Sequence, residues 1–194
     1  MNPLNTIKGT LIAGVILAIV IALVTMGIQF NVPSFIMWIH VSAGVTWIGL
    51  LYYFNFVQVP ALAAAAKDQG GPGGAGISKY VAPRALLWFR WGAVVTWLSG
   101  AAYLAHAGLF VQAFTLQPGA MIIGVGAWLG TIMLFNVWVL IWPNQKKVLG
   151  LVEATADEIA KARRVAFLAS RTNTMLSVPM VMSMVGFGHG GFFL

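Results

Sequence analysis

The chain has no cysteine, and that absence removes whole classes of chemistry at once. Disulfides, iron–sulfur clusters, thiolate zinc sites and covalent c-type haem attachment all need a thiol. Charge is scarce as well. Only 8% of the 194 residues are Asp, Glu, Lys or Arg, and just four of those are acidic. Soluble domains carry about 25% charged residues, so this scarcity points to a protein embedded in lipid. No stretch has the context of a phosphate loop: the glycine-rich segment KDQGGPGGAGISK, Lys67 to Lys79, follows no strand and precedes no GK[ST]. It reads as a flexible loop.

What the chain does have is apolar length. Hydrophobic residues make up 60% of it, with a mean hydropathy of +0.88. The pattern predicts an all-α, polytopic membrane helix bundle of five transmembrane helices, about 10–29, 34–58, 86–107, 120–142 and 165–187, in a single domain. The first helix, with one lysine before it and no small-residue cleavage site, reads as a retained span and not a signal peptide. The second span is expected to run on through Pro60 into Ala61–Ala66. Pro143 to Arg164 holds most of the charge and reads as a surface helix, and Pro179 is expected to kink the last span. Gly126 and Gly130 form a GxxxG face that lets another helix approach.

All eleven Lys and Arg residues fall at the N-terminus, in the second-to-third and fourth-to-fifth connections, or in their flanks. By the positive-inside rule, the N-terminus is cytoplasmic and the C-terminus periplasmic, in a bacterial inner membrane. The net charge of +7 thus reflects orientation, not nucleic-acid binding. The same topology sends His40, His106 and His189 toward the outer face. His40 begins a stripe of Gly44, Trp47, Leu51, Asn55 and Gln58 on one side of its helix. Two imidazoles between helices suit a b-type haem, with His40 and His106 as axial ligands and Gly44, Trp47, Tyr103 and Trp88 around the macrocycle, Gly44 and Gly100 making room. A chlorophyll-type magnesium needs only one histidine. A copper or zinc site, or a metal-handling role, needs His189 to join His40 and His106.

Three segments, HVSAGVTWIGLLYYFNFVQ, NVWVLIWPNQKKVLG and SRTNTMLSVPM, resemble the membrane domain of the bacterial membrane-bound urate hydroxylases, the urate oxidase N-terminal family. The shorter H-x-x-x-G-x-x-W-x-G pattern also resembles the histidine-bearing helix of membrane protoporphyrinogen oxidases and copper-resistance membrane proteins. The family resemblance implies urate oxidation toward 5-hydroxyisourate, with electrons passed to a cytochrome c on the outer face. The sequence departs from it in lacking C-x-x-C-H and in being shorter than that membrane domain, so a separate electron acceptor is expected. An anionic substrate asks for a cation and amide donors, which here are Arg90, Arg171, Asn173, Asn136 and Asn55 toward the cytoplasmic half. Arg84 and Arg90 also have the placement of side chains that snorkel to lipid phosphates. The competing expectation is a non-catalytic subunit, or homo-oligomer, packed into a larger respiratory or photosynthetic complex.

Overall fold

A computed structural model describes residues 2–25 and 30–191 of the chain. Among them there are helices and turns and no strand, so the fold is all-α. Two compact units divide it, residues 1–32 and 33–194. The first contains α1, Ile7–Thr25, built almost wholly of Ile, Val, Leu and Ala. The tail of the first expected span, residues 26–29, lies outside the described residues.

The second unit is organised by four long helices. Their main segments are α2 (Val32–Tyr52), α4 (Ala82–His106), α6 (Met121–Phe135) and α8 (Ala156–Phe187). A short α5, Phe110–Phe114, packs beside α6 through Phe114 and Trp128. Residue pairs fix the helix directions. Gly92 lies against Trp47, and Thr96 and Gly100 lie against Gly44 and His40, so α2 and α4 are antiparallel. Trp97 donates to Thr131 while Trp91 meets Trp138 edge-on, which makes α4 and α6 antiparallel. Gly126 meets Ser183 and Met184, and Asn136 meets Asn173, so α6 and α8 are antiparallel too. Tyr52 with Ser177 and Asn55 with Ser170 close the ring between α8 and α2. The result is an up-down-up-down bundle.

Its polarity is inverted. Asn55, Gln58, Thr96, Asn136, Asn173 and Ser177 are buried, while Trp38, Val45, Phe56, Trp88, Leu98, Phe135 and Val178 are exposed. An aqueous protein rarely presents so much large apolar surface, and a lipid-solvated one does so by default. Among the described residues, three helices are long and apolar enough to cross a membrane: Ile7–Thr25, Val32–Ala65 and Met121–Val148. α4 and α8 are also long, at 25 and 32 residues, but Arg84, Arg90 and several tryptophans dilute one, and a charged first half with Ser170–Thr174 dilutes the other.

Prolines do not stop these helices, because the backbone widens just ahead of them. π-helical turns occupy Tyr53–Gln58, Ile77–Val81 and Asn136–Ile141, each ending two residues before Pro60, Pro83 or Pro143. The residue preceding each proline donates its N–H five residues back: Val59 to Phe54, Ala82 to Ile77 and Trp142 to Val137. Proline has no N–H to give, and its ring needs the carbonyl four residues back moved aside; the wider turn meets both demands. The residue after the proline helps at two of the three places, where Arg84 donates to the Tyr80 carbonyl and Asn144 to that of Leu140. The chain then continues as α3 (Val59–Ala65), α4 and α7 (Trp142–Val148).

Two expectations change as a result. The helix that begins at Met121 extends to Val148 instead of ending before Pro143, and no separate surface helix lies between it and α8. Instead, α8 begins at Ala156 and runs unbroken through Pro179 to Phe187. Its start is a capping box. Thr155 Oγ1 accepts from the Glu158 N–H, and Glu158 Oε2 accepts from the Thr155 N–H at 2.9 Å. Lys147, at the end of α7, reaches the same carboxylate at 3.4 Å.

Candidate functional site

The four-helix unit has two chemically different ends. One gathers its cationic residues, from Lys67 through Arg171, and its carboxylates with them; the other holds His40, His106 and His189. Each end contains a candidate site.

At the histidine end, His40 Nδ1 lies 2.8 Å from the Thr96 carbonyl oxygen. A carbonyl only accepts, so Nδ1 carries the proton and Nε2 keeps its lone pair. The ring is seated by Gly100: a Cβ there would stand 2.8 Å from His40 Cε1 and 3.0 Å from Nδ1. Gly44 faces Thr96, and Trp47, 1% exposed, packs on Gly92 at the centre of the core. The expectation that Gly44 and Gly100 open a slot for a macrocycle is therefore corrected. The glycines are filled by close helix approach and by the imidazole itself. Trp88, expected beside the same ring, is 63% exposed on the outer surface. Tyr103 is half-buried, and His106 is exposed at the end of α4.

His189 is exposed too, and its Nδ1 bonds the Val185 carbonyl of its own helix. Among the described residues, no three His, Cys, Asp or Glu side chains gather as a metal site. The expected His40–His106–His189 set is thus not assembled. For a haem, the fit would rest on His40, whose Nδ1–H is engaged by the Thr96 carbonyl and whose Nε2 keeps its lone pair, as in metal-ligating histidines.

Toward the charged end, the expected anion-binding group comes apart. Asn136 Nδ2 donates to Asn173 Oδ1 at 2.8 Å, and Asn173 Nδ2 donates to the Met133 carbonyl at 3.0 Å. Both are buried, Asn173 completely. They clasp α8 to the bundle through the π turn after α6 and have no amide hydrogen turned to a ligand in that bond. Arg171 is on another side of α8, exposed, with its guanidinium 5.3 Å from the Phe167 ring. Arg90 stacks on Trp142 at 3.7 Å instead of reaching outward. Asn55 donates to the Leu51 carbonyl and to Ser170 Oγ.

Only Asn55 of the five expected substrate residues lines the large cavity of this end, a space of about 780 Å³. Gln58, Gln145, Arg163, Arg164 and Ser170 supply its other polar wall, and Phe54, Leu86, Phe89 and Phe167 much of its apolar wall. Gln58 is 8% exposed and its Oε1 has no hydrogen-bond partner. Sequence reasoning passed over Arg163 and Arg164, although Arg163, Ala166, Phe167 and Ser170 share one helical face at i, i+3, i+4 and i+7.

Residues 104–193, nearly half of the chain, match the family model described as Urate oxidase N-terminal, which supports that family. The match contains His106 and His189 and two of the three resembling segments; His40 and its helix lie outside it. No curated protein and no solved structure matches the chain.

Proposed function

We propose that this chain, whose residues 104–193 carry the urate oxidase N-terminal match, is a urate hydroxylase-like membrane redox protein that binds haem b through His40. The reading takes all five long helices as membrane-spanning, the charged end as cytoplasmic and the histidine end as periplasmic. Electrons would leave at the histidine end to a carrier such as cytochrome c. When bound, the haem supplies reversible one-electron chemistry. The residues of this chain supply the ligand and its orientation. Thr96 holds the His40 tautomer, and Gly100 fixes the ring plane.

The observation that carries this reading is the His40 Nδ1–Thr96 hydrogen bond, which reserves Nε2 for a ligand inside a bundle where a histidine is costly to bury without purpose. His106 would be the second residue to hold the haem. The test is a reduced-minus-oxidised absorption spectrum of the purified protein beside His40→Ala and His106→Ala. A b-type signal lost in His40→Ala supports the site. A colourless wild type, purified with lipids and partners intact, overturns it and leaves the accessory-subunit reading ahead. That second reading has lost one of its supports, since Gly126 of the GxxxG face is already used against Ser183 and Met184 of α8.

A further inference from the structure

The 780 Å³ cavity is the one place where all three π turns meet. Phe54, Asn55 and Gln58 come from the first, Ser78 from the second and Ile141 from the third. The segments beyond the prolines add Leu62 and Gln145. Helices widened in this way commonly mark functional sites. Arg163 and Arg164 line the space, and no carboxylate does. Neither arginine is paired with an acid; the ion pair of the described residues is Lys147 with Glu158. The lining is therefore cationic at one level and apolar at another.

The order of these groups along the bundle follows from the antiparallel contact of α2 and α8. Asn55 is level with Ser170. Gln58 lies three residues past Asn55, and Arg163 and Arg164 lie seven and six residues before Ser170, in the same direction. At about 1.5 Å per residue, Gln58 sits roughly 5 Å deeper than the arginine pair. Phe54, Phe89 and Leu86 continue beyond or beside it, with Phe54 and Phe89 meeting edge-on at 5.5 Å.

We propose that this cavity is a binding site for an anionic phospholipid: phosphate on Arg163 and Arg164, an ester carbonyl on the Gln58 amide, and acyl chain along Phe54, Leu86 and Phe89. The spacing of cation, amide and apolar wall follows the order of phosphate, ester and hydrocarbon in a lipid. Basic pockets between helices at the cytoplasmic level recognise such headgroups. The cavity volume is in the range of sites that enclose a ligand. The ester carbonyl, an acceptor, would take its hydrogen bond from the Gln58 Nε2–H.

The experiment is native mass spectrometry of the full chain, delipidated in detergent and titrated with phosphatidylglycerol, phosphatidylcholine of the same acyl chains, and inorganic phosphate. Two arginines predict about a 30-fold preference for phosphatidylglycerol over phosphatidylcholine. Arg163→Gln with Arg164→Gln should erase the preference, whereas Arg171→Gln, an exposed cation of the same helix outside the cavity, should leave it intact. Gln58→Leu should weaken both lipids alike, because both carry the ester. Equal retention of the two lipids by the wild type overturns the proposal, as does an equal loss in Arg171→Gln, which would mark diffuse surface attraction. Inorganic phosphate that competes at the affinity of the lipid would also overturn it, by assigning the site to a bare oxyanion.

Discussion

The two ends of the four-helix unit solve the same problem, keeping polar backbone and side chains satisfied in an apolar setting, by opposite means. At the histidine end the helices stay regular and approach closely. Gly92 and Gly100 admit Trp47 and His40, and the His40 proton goes to a carbonyl of the neighbouring helix. At the charged end the helices loosen into π turns ahead of three prolines, and a cavity opens between them. Close packing fixes one imidazole; loosened packing makes room for a guest. The difference shows that the π turns, more than polarity, mark where this bundle has space.

Between the two ends, the Asn136–Asn173 clasp sets how far the loosening spreads, so breaking it should have the largest effect. Asn173→Leu strands the Asn136 side-chain amide, takes one of two donors from the Met133 carbonyl and should cost about 2 kcal/mol of stability in detergent, read by thermal unfolding. The double change with Asn136→Leu should cost less than the sum of the single changes, because the stranded amide goes with it.

Next in size is Gly100→Ala. Its methyl group collides with the His40 ring and should cost about 1–3 kcal/mol. Any His40-dependent spectrum should shift with it. Gly130→Ala, with nothing within 4 Å of the new Cβ, should be neutral or stabilising by about 0.5–1 kcal/mol. A Gly100→Ala variant as stable as Gly130→Ala would overturn the close seating of His40 at the histidine end.

A smaller effect is expected from pH. The Thr155 N–H first, and then Lys147, hold the exposed Glu158 carboxylate below its ordinary range. A depressed carboxylate stabilises the folded state above its unfolded pKa, and that contribution is lost as pH falls through the folded value. The melting difference between wild type and Glu158→Gln should therefore be present at neutral pH and vanish under acid conditions. The smallest effect is that of Arg171→Leu, which should leave affinity for an anionic ligand unchanged, measured by direct binding, since Arg171 stands outside the cavity.

Much of the fold is legible in the residues. Apolar runs locate the helices, and glycine with aromatic spacing correctly flags the face of α2 that packs on α4. The end of the helix that begins at Met121 is not legible, for a physical reason. Pro143 is a stop signal in water, but a π turn ahead of it lets the helix pass, as at Pro60 and Pro83. The capping box that starts α8 was readable, since Thr155-x-x-Glu158 has the required spacing. The site was less legible. His40 stands out as a lone polar group, yet its partner is a backbone carbonyl of Thr96, which carries no sequence signature. Asn136, Asn173 and Arg171 look like a ligand set by composition. Only the structure reveals that two of them bond each other and the third turns away.

Each π turn also has an arithmetic meaning. A helix that spends one extra residue on a turn rotates everything beyond it by about 100° relative to an uninterrupted one. Leu62 and Ala63 reach the cavity only because Tyr53–Gln58 has made that rotation. A chain shorter by a single residue within 53–58 would keep the ends and the apolar character of this helix. It would turn the inner wall of the cavity toward lipid. The phase of this protein is written in its residue count as much as in its residue types.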